Sequence, residues 1–231
     1  MTDIPPDSAT LKRAAAAKAL DYVEDGMKLG LGTGSTAEAF LEVLAPRVRG
    51  GLNITGVATS NRTAEKARAL GITVAELDLV GDLDLVIDGA DEADGDLNLI
   101  KGGGGAHLIE KIVATAAKKM VVIADGTKLV KTLGKFPLPV EVVQFGHATT
   151  ARRISEAAKK LRHDITPALR MKDGAVLVTD SGNYIYDCAF GSIADPAKLA
   201  VALSVIPGVV EHGLFVGIAT TLILARASGV E

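Results

Sequence analysis

Glycines and hydroxyl side chains are concentrated in one short segment near the start of the chain. This segment, Gly32–Thr36, follows an apolar run and precedes a stretch with helical spacing; it is called the first glycine loop below. Glycine lets the backbone approach an anion closely, and the free N–H groups of a helix N-terminus attract negative charge. The loop is therefore predicted to bind a small phosphate, with an ordinary strand-to-helix turn as the alternative. Its candidate ligand residues are Thr33, Gly34, Ser35 and Thr36.

The spacing of these glycines argues against a nucleotide. The pattern is G-x-G-x-G, which differs from the G-x-G-x-x-G of dinucleotide-binding folds, and no G-K-[ST] of a Walker loop follows. The acidic residue that usually binds a ribose after the second strand is also missing, since Ala58-Thr59-Ser60 stands there. A dinucleotide cofactor is therefore disfavoured.

A cluster of acids follows the most apolar strand candidate. Leu85-Val86-Ile87 runs directly into Asp88-Gly89-Ala90-Asp91-Glu92. Open α/β sheets place ligands at the carboxyl ends of their strands. Asp88 and Asp91 could perform acid/base chemistry or bind a divalent metal, and turn formation is the alternative. Glu92 is interpreted either as a solvated turn residue or as part of the site.

Four consecutive glycines, Gly102–Gly105, form a second glycine loop between a lysine and a helical segment. Such a run is costly in backbone entropy, so it indicates unusual dihedral angles or contact with a ligand. Together with Lys101, the loop is predicted to stabilise an oxyanion. A flexible linker is the alternative interpretation.

Three titratable residues are ambiguous by sequence alone. Helical periodicity puts Glu110 away from the apolar face of its helix, as for a surface acid, and only its position after the second glycine loop makes it a candidate. His107 is interpreted as a capping or surface residue. Lys128 follows a strand at its carboxyl end and Lys12 could project toward the same side, but a solvated lysine is the default interpretation for each.

Strand-like and helical segments alternate through the first half of the chain. This alternation predicts an α/β fold with a Rossmann-like, mostly parallel sheet covered by helices on both faces. The predicted helices are Ala9–Val23, Thr36–Val48, Asn61–Leu70 and Ala106–Lys118, and the predicted strands are Met27–Leu31, Asn53–Thr59, Thr73–Glu76, Asp84–Asp88 and Met120–Ala124.

The pattern changes after residue 133. Pro137 and Pro139 predict a boundary or an edge segment. Two helices, 149–161 and Pro196–Ser204, then flank a predicted hairpin of 175–179 with 183–187. This order predicts a smaller inserted α+β domain of ferredoxin-like type over 134–208. Residues 1–133 with 209–231 would form the Rossmann-like domain, to which a strand at 214–219 would return.

Composition excludes several classes of protein. The 231 residues carry a formal net charge of −3 without any Lys/Arg-rich block, which argues against a nucleic-acid partner. Met1–Ser8 lacks the apolar region of a signal peptide, and no apolar run is long enough to span a membrane. The single cysteine, Cys188, is expected to be a half-buried strand residue. These features favour a cytoplasmic protein.

Taken in order, the motifs resemble those of the A-type ribose-5-phosphate isomerase family. The matching segments are Gly-Thr-Gly-Ser-Thr at 32–36, Asp-Gly-Ala-Asp-Glu at 88–92, Asn-Leu-Ile-Lys-Gly-Gly-Gly-Gly-Ala at 98–106, Glu-Lys-Ile at 110–112, Gly-Lys-Phe-Pro-Leu-Pro-Val-Glu-Val at 134–142, Asp-Ser-Gly-Asn at 180–183 and Ile-Pro-Gly-Val-Val at 206–210. Each motif is common by itself, whereas the ordered set spans nearly the whole chain.

The resemblance implies an aldose–ketose isomerase that interconverts ribose 5-phosphate and ribulose 5-phosphate, without a metal or cofactor and at least as a homodimer. It implies that Glu110 is the catalytic base, and that Asp88, Asp91 and Lys101 also act in catalysis. The implied substrate-binding residues are Lys12, Thr33, Gly34, Ser35, Thr36, Asp88, Gly89, Ala90, Asp91, Lys101, Gly102, Gly103, Gly104 and Lys128.

Other functions on a similar scaffold stay open at this stage. A sugar-phosphate sensor of a transcription regulator would need a DNA-binding module, for which the sequence offers no basic face. An amino-sugar phosphate deaminase would be expected to have other loop sequences. A coenzyme A transferase would be expected to have a much longer chain.

Overall fold

The computed structural model describes residues 7–231, and most of the Met1–Ser8 segment discussed above lies outside them. The chain divides into two compact units. The first unit contains the described residues up to Ala90, together with Ile109–Leu129 and Ile218–Glu231. The second unit contains Asp91–Leu108 and Val130–Gly217.

Regular elements follow one another along the described chain. The helices are α1 (Ser8–Ala19), α2 (Ser35–Arg49), α3 (Asn61–Ala69), α4 (Leu77–Val80), α5 (His107–Thr115), α6 (His147–Lys160) and α7 (Pro196–Ser204), with 3₁₀ turns at Leu20–Tyr22 and Gly126–Lys128. The strands are β1 (Lys28–Leu31), β2 (Thr55–Ala58), β3 (Leu85–Asp88), β4 (Glu92–Ala93), β5 (Leu99–Ile100), β6 (Met120–Asp125), β7 (Leu138–Val142), β8 (Ala168–Leu169), β9 (Met171–Lys172), β10 (Ala175–Val176), β11 (Tyr184–Cys188), β12 (Val209–His212), β13 (Leu214–Phe215), β14 (Thr221–Arg226) and β15 (Gly229–Val230).

A six-stranded sheet forms the centre of the first unit, in the order β15-β14-β6-β3-β1-β2. All neighbouring pairs are parallel except β14 with the short β15. The chain moves outward from β1 to β2 and then returns to the other side of β1 with β3. This reversal between β1 and β3 is the switch point at which open α/β sheets bind ligands.

Helices pack on both faces of this sheet, as predicted. Leu29 and Leu31 of β1 join a buried cluster with Phe40 and Leu44 of α2 and alanines of α1. The intervening Gly30 points to the other face, where a Cβ atom would lie 2.7 Å from Val113 of α5. Successive residues of this buried strand therefore contact helices on opposite faces of the sheet. The Rossmann-like prediction is confirmed.

The second unit is built on a four-stranded antiparallel sheet in the order β12-β7-β11-β8. With α6 after β7 and α7 after β11, these elements follow one another as β-α-β-β-α-β, the split βαβ arrangement of ferredoxin-like folds. A buried apolar cluster includes Val140 of β7, Ile154 of α6 and Leu203 of α7. The ferredoxin-like prediction is thus confirmed.

The prediction of an edge segment at Pro137 and Pro139 is wrong. Pro139 lies in β7, which is paired on both sides. The Pro139 carbonyl accepts the Gly213 N–H at 2.8 Å. A residue with an N–H at position 139 would donate to the Gly213 carbonyl, but that carbonyl accepts the Lys101 N–H instead, at 2.9 Å. Because that carbonyl already has a donor, the sheet tolerates a proline inside it.

Two other strand predictions also need correction. Residues 73–76 form only an isolated bridge, between Gly56 and Val74, in place of a strand. The predicted hairpin of 175–179 with 183–187 is absent among the described strands, because β10 pairs with β9 instead. Asp173 and Gly174, both with positive φ, form that two-residue turn, which the Asp-Gly dipeptide could have indicated.

The end of the chain also differs from expectation. The predicted strand at 214–219 is limited to β13, which pairs with β5 in the second unit, and β14 is the strand that joins β6 in the main sheet. Residues 91–108 and 209–217 therefore group with the second unit, whereas the sequence assigned them to the first domain. Pairing of β4, β5, β12 and β13 inside that unit accounts for the difference.

Candidate active site

The first glycine loop occupies the switch point of the six-stranded sheet. It connects β1 to α2, and Gly34, with φ of 102°, is the residue that precedes the first turn of α2. Such a positive φ favours glycine, and it turns the chain so that the first N–H groups of α2 face away from the helix. The loop thus places the N-terminus of α2 at the switch point, and its role in binding an anion stays a prediction.

Asp88 lies at the carboxyl end of β3, next to this loop. Its side chain is 1% exposed, and Oδ1 accepts the N–H groups of Thr33 at 3.1 Å and Gly89 at 2.7 Å. A Cβ atom at Gly32 would lie 2.1 Å from the same oxygen. Only glycine at position 32 therefore lets the loop and the carboxylate approach each other.

A cluster of hydroxyl groups anchors the loop from its other side. Thr33 Oγ1 lies 2.7 Å from Thr59 Oγ1, 2.9 Å from Ser60 Oγ and 3.2 Å from Thr63 Oγ1. Thr63 Oγ1 donates in turn to the Gly32 carbonyl at 3.0 Å. The Thr33 hydroxyl, predicted to face a phosphate, is thus surrounded by protein hydroxyls.

Thr59, Ser60 and Thr63 were missed as supporting residues by the sequence interpretation. The available signal was the run of hydroxyl residues directly after β2, at the carboxyl edge of the sheet.

Other predicted substrate-binding residues of the first unit lie around the start of α2 or at the carboxyl edge of the sheet. The Lys12 ammonium of α1 donates to Ser35 Oγ at 3.0 Å, which places a cation beside the helix N-terminus. A Cβ atom at Gly89 would lie 3.6 Å from Thr36 Cβ, so the loops after β1 and β3 are neighbours. Lys128 ends the 3₁₀ turn after β6, at the same carboxyl edge of the sheet.

Glu110 lies on the buried face of α5. Its side chain is 4% exposed, and that of Val113 on the same face is 1% exposed. Ile112, which periodicity assigned to the apolar face, is 45% exposed. The interpretation of Glu110 as a surface acid is therefore wrong. A carboxylate is costly to bury without a purpose, so its burial is itself a functional signal.

In the second unit, Asp91 bonds directly to the second glycine loop. Its Oδ2 accepts the Gly103 N–H at 2.7 Å, and the Gly105 N–H donates to the Gly102 carbonyl at 2.9 Å. Two of the four N–H groups proposed for an oxyanion thus have protein acceptors. Gly103 and Gly104 are exposed, which leaves that part of the loop accessible to a ligand.

Lys101 precedes the second glycine loop and is 2% exposed. Its ammonium lies 5.6 Å from the centroid of the Phe215 ring, within range of a cation–π interaction. A Cβ atom at Gly213 would lie 2.2 Å from the Lys101 carbonyl, so the backbone there is closely packed. The buried cation fits the predicted role in stabilising negative charge.

His107 is fully buried, which contradicts its interpretation as a surface residue. Its ring packs against Gly102, where a Cβ atom would lie 2.7 Å from Nδ1, and its Nε2 is 3.7 Å from Glu141 Oε2. Burial raises the pKa of Glu141, although hydrogen bonds from Asn183 and Thr179 act in the opposite direction.

Glu92 stabilises the second unit. It is 4% exposed, and its carboxylate accepts the N–H groups of Gly134 at 2.7 Å and Phe136 at 2.6 Å. The solvated-turn interpretation is therefore wrong. Cys188 is fully buried rather than half-buried, and burial raises the pKa of its thiol to about 12.

Two kinds of feature are absent from residues 7–231, the part of the chain that the structure describes. These residues contain no group of three or more His, Cys, Asp or Glu side chains arranged for a metal ion, and none of their helices is long and apolar enough to cross a membrane.

Arg170 is a further residue that the sequence did not single out. Its guanidinium forms two bonds with the Asp187 carboxylate, Nε to Oδ2 at 2.9 Å and Nη2 to Oδ1. Nη1 donates to the carbonyl oxygens of Gly102 at 2.8 Å and Gly103 at 3.3 Å. The sequence separation of 67 and 68 residues explains why no local pattern revealed this contact.

Comparison with known proteins identifies the family. The family model described as Ribose 5-phosphate isomerase A (phosphoriboisomerase A) matches residues 55–229. Ribose-5-phosphate isomerase A from Parvibaculum lavamentivorans is 57% identical over 223 residues, which cover 95% of this chain and 96% of that protein. The chain belongs to the ribose 5-phosphate isomerase A family. The predicted resemblance is thereby confirmed.

Solved structures of family members share the fold. Ribose 5 phosphate isomerase A from Neisseria gonorrhoeae aligns with a TM-score of 0.89 and 39% identity, covering 99% of this chain and 97% of that one. A D-ribose-5-phosphate isomerase in complex with phospho-erythronic acid aligns with a TM-score of 0.90 and 38% identity, covering 98% of each chain.

Proposed function

We propose that this chain interconverts D-ribose 5-phosphate and D-ribulose 5-phosphate through an enediolate. The observation that carries the proposal is the bond between the buried Asp88 carboxylate and the first glycine loop at the switch point, in a chain that belongs to this family. An acid within one hydrogen bond of an anion-binding loop suits a small substrate that carries both hydroxyls and a phosphate.

In this proposal the phosphate binds at the N-terminus of α2. The N–H groups there, the hydroxyls of Ser35 and Thr36, and the ammonium groups of Lys12 and Lys128 act as donors, while Thr33 holds the loop through its internal bonds. Binding energy from the phosphate, which does not react, orients the sugar and so lowers the entropic part of the barrier.

Glu110 is proposed as the base that moves a proton between C1 and C2. One carboxylate can remove the proton from C2 of the aldose and return it to C1, and the electrons pass through the enediolate. Burial of Glu110 supports this role, because a carboxylate shielded from bulk water exchanges its proton with the substrate rather than with solvent.

Negative charge that develops on the substrate oxygens needs stabilisation. Lys101 and the N–H groups of the second glycine loop are proposed for this, and the burial of Lys101 strengthens its electrostatic effect. Asp88 is proposed to open the furanose ring by acid/base catalysis, with Asp91 in support. Gly89, Ala90 and Gly102–Gly104 are proposed to line the sugar.

The decisive experiment replaces Glu110 with Gln. Turnover in a coupled assay from ribose 5-phosphate to ribulose 5-phosphate should fall by about 10³-fold or more, because the amide cannot accept the proton. Affinity for phospho-erythronic acid, measured by calorimetry, should persist. Glu65→Gln, at an exposed position on α3, provides the matched control. An active Glu110→Gln enzyme would sink the assignment.

Substrate choice can be tested separately from catalysis. Ribose 5-phosphate should raise the melting temperature of the protein, whereas glucosamine 6-phosphate and coenzyme A should not. A shift with glucosamine 6-phosphate would favour a deaminase, and a shift with ribose 5-phosphate in a protein without turnover would favour a sensor.

A homodimer is proposed as the working form, and the cytoplasm as its compartment. The Phe145 ring is 95% exposed, and Val143 and Val205 of the same unit are also exposed, as on surfaces that become covered on association. Sedimentation at micromolar concentration should give the dimer mass, and Phe145→Ser should weaken it. A monomer under these conditions would contradict the proposal. The single cysteine is compatible with a reducing compartment.

A further inference from the structure

Arg170 contacts the second glycine loop through two peptide oxygens. The side chain lies in the segment between β8 and β9, and its solvent exposure is 12%. Asp187 of β11 binds one edge of the guanidinium, through Nε and Nη2, and Nη1 donates to the carbonyls of Gly102 and Gly103. The Arg170 guanidinium is thus held in place by a residue of a strand, and it donates to the carbonyls of two successive peptides.

Because the peptide group is planar, a bond to its carbonyl oxygen also fixes the direction of the following N–H. In a trans peptide the C=O and the following N–H point in opposite directions. Holding the Gly102 oxygen therefore directs the Gly103 N–H away from Arg170, towards Asp91 Oδ2 at 2.7 Å. Holding the Gly103 oxygen directs the Gly104 N–H to the same side, where the loop is exposed.

Glycine makes such external support necessary. Each glycine has wide conformational freedom, and the four in this run would otherwise sample many orientations of their peptide planes. Gly102 has φ of 104° and Gly105 has φ of 81°, while the loop itself contributes the bond from the Gly105 N–H to the Gly102 carbonyl. Arg170 adds two bonds to the peptides between these residues.

We infer that Arg170, held by Asp187, is a positioning residue for the isomerase reaction. It directs the Gly104 N–H at the substrate oxygen that becomes negative, and it preserves the bond between Gly103 and Asp91. This inference deepens the proposed function and rests on it. Arg170 acts through the loop and does not itself contact the reacting atoms.

The test compares Arg170→Ala and Arg170→Lys with wild type in the ribose 5-phosphate assay. Arg170→Ala should lower kcat by about 10- to 100-fold, the size of effect expected for a misplaced catalytic group, with little change in KM. Arg170→Lys should recover only part of kcat, since one ammonium cannot reproduce the planar fork. Asp187→Asn should give a smaller loss in the same direction.

Two further measurements separate positioning from stability. Affinity for phospho-erythronic acid, whose carboxylate imitates the charged enediolate, should fall in Arg170→Ala in parallel with kcat/KM. Guanidinium chloride at millimolar concentration, compared with sodium chloride at equal ionic strength, should restore part of kcat in Arg170→Ala. Arg153→Ala removes an exposed arginine–glutamate pair on α6 and should change none of these quantities.

Two results would overturn the inference. Wild-type kcat in Arg170→Ala, with only a lower melting temperature, would make the pair purely structural. A loss of kcat that guanidinium does not restore, with unchanged affinity for phospho-erythronic acid, would do the same. Failure of the proposed function itself is distinguishable, because wild type would then not turn over ribose 5-phosphate at all.

Discussion

The two glycine loops have similar composition but are held by different physical means. The first glycine loop is confined by close packing against Asp88 and by a cluster of neutral hydroxyls around Thr33. The second is held by charged groups, Arg170 on its carbonyls and Asp91 on an N–H, in addition to the close packing of His107 against Gly102. Where close packing holds the loop, substitution of the glycine itself should be harmful. Where a charged group holds it, substitution of the residue that supplies the charge should be harmful.

The sharpest test of this contrast is Gly32→Ala. The added Cβ would lie 2.1 Å from Asp88 Oδ1 and 2.6 Å from its Cα, so the backbone must move. We expect a loss of about 3 kcal/mol in unfolding free energy and no measurable turnover. Thermal unfolding and the isomerase assay would measure both effects.

Gly51→Ala is the control for that substitution. Gly51 has a positive φ of 105°, which Gly32 does not, and nothing lies within 4 Å of its Cβ position. It should lose only the strain of about 1 kcal/mol that a left-handed residue costs. Equal losses for the two variants would mean that packing against Asp88 is unimportant.

The hydroxyl cluster is the second support of the first loop. Thr59→Val keeps the shape of the side chain but removes the hydroxyl that lies 2.7 Å from Thr33 and 3.2 Å from the Leu31 carbonyl. We expect a loss of about 1–2 kcal/mol in stability and a higher KM for ribose 5-phosphate, because the loop loses an anchor. Chemical denaturation and steady-state kinetics would measure the two effects.

Thr115→Val is the corresponding control, since its hydroxyl bonds only to carbonyls of its own helix. A KM that rises equally in both variants would exclude a specific role for the cluster.

The same contrast explains what could be predicted from sequence. The first glycine loop was placed correctly between a strand and a helix, because the three are contiguous and local rules cover all of them. Asp88 was identified because a buried strand ends there. The supports Thr59 and Thr63 depend on which strand lies beside β1, a fact that only the assembled sheet establishes.

Glu110 and Arg170 show where local rules fail. Periodicity assigned the buried face of α5 from its apolar residues, but the structure places His107 and Glu110 on that face and exposes Ile112. A buried carboxylate departs from the hydrophobic pattern of its helix, so periodicity alone misplaces it. Arg170 is joined to the loop by a contact across 68 residues, which no sequence window contains.

Gly105→Ala should show how tolerant the second loop is. Gly105 has φ of 81°, and its nearest neighbours, Ile185 and Leu177, lie 3.6 Å from the Cβ position, an ordinary contact distance. Only backbone strain of about 1 kcal/mol is expected, with kcat close to that of wild type. Thermal unfolding and kinetics would test this, and a loss as large as that of Gly32→Ala would show that Gly105 is as closely confined as Gly102.

The smallest expected effect concerns Glu141, which is buried beside His107. Burial raises the pKa of Glu141 above its ordinary value of 4.5, so the folded protein binds this proton more tightly than the unfolded chain. Its contribution to stability is therefore complete below pH 4.5 and is lost as the pH rises through the folded pKa. Glu141→Gln does not titrate and keeps an oxygen that can accept from Thr179 and Asn183.

We expect Glu141→Gln to match wild type at pH 4 and to exceed it by up to about 1 kcal/mol at pH 8, as measured by thermal unfolding across that range. Glu156→Gln, on the exposed face of α6, should show no such divergence. His107 Nε2 lies 3.7 Å from Glu141, and the nearby Glu211 carboxylate also raises its pKa. A variant that is less stable than wild type at neutral pH would show that protonated His107 keeps Glu141 charged, so that the support beneath Gly102 is ionic as well.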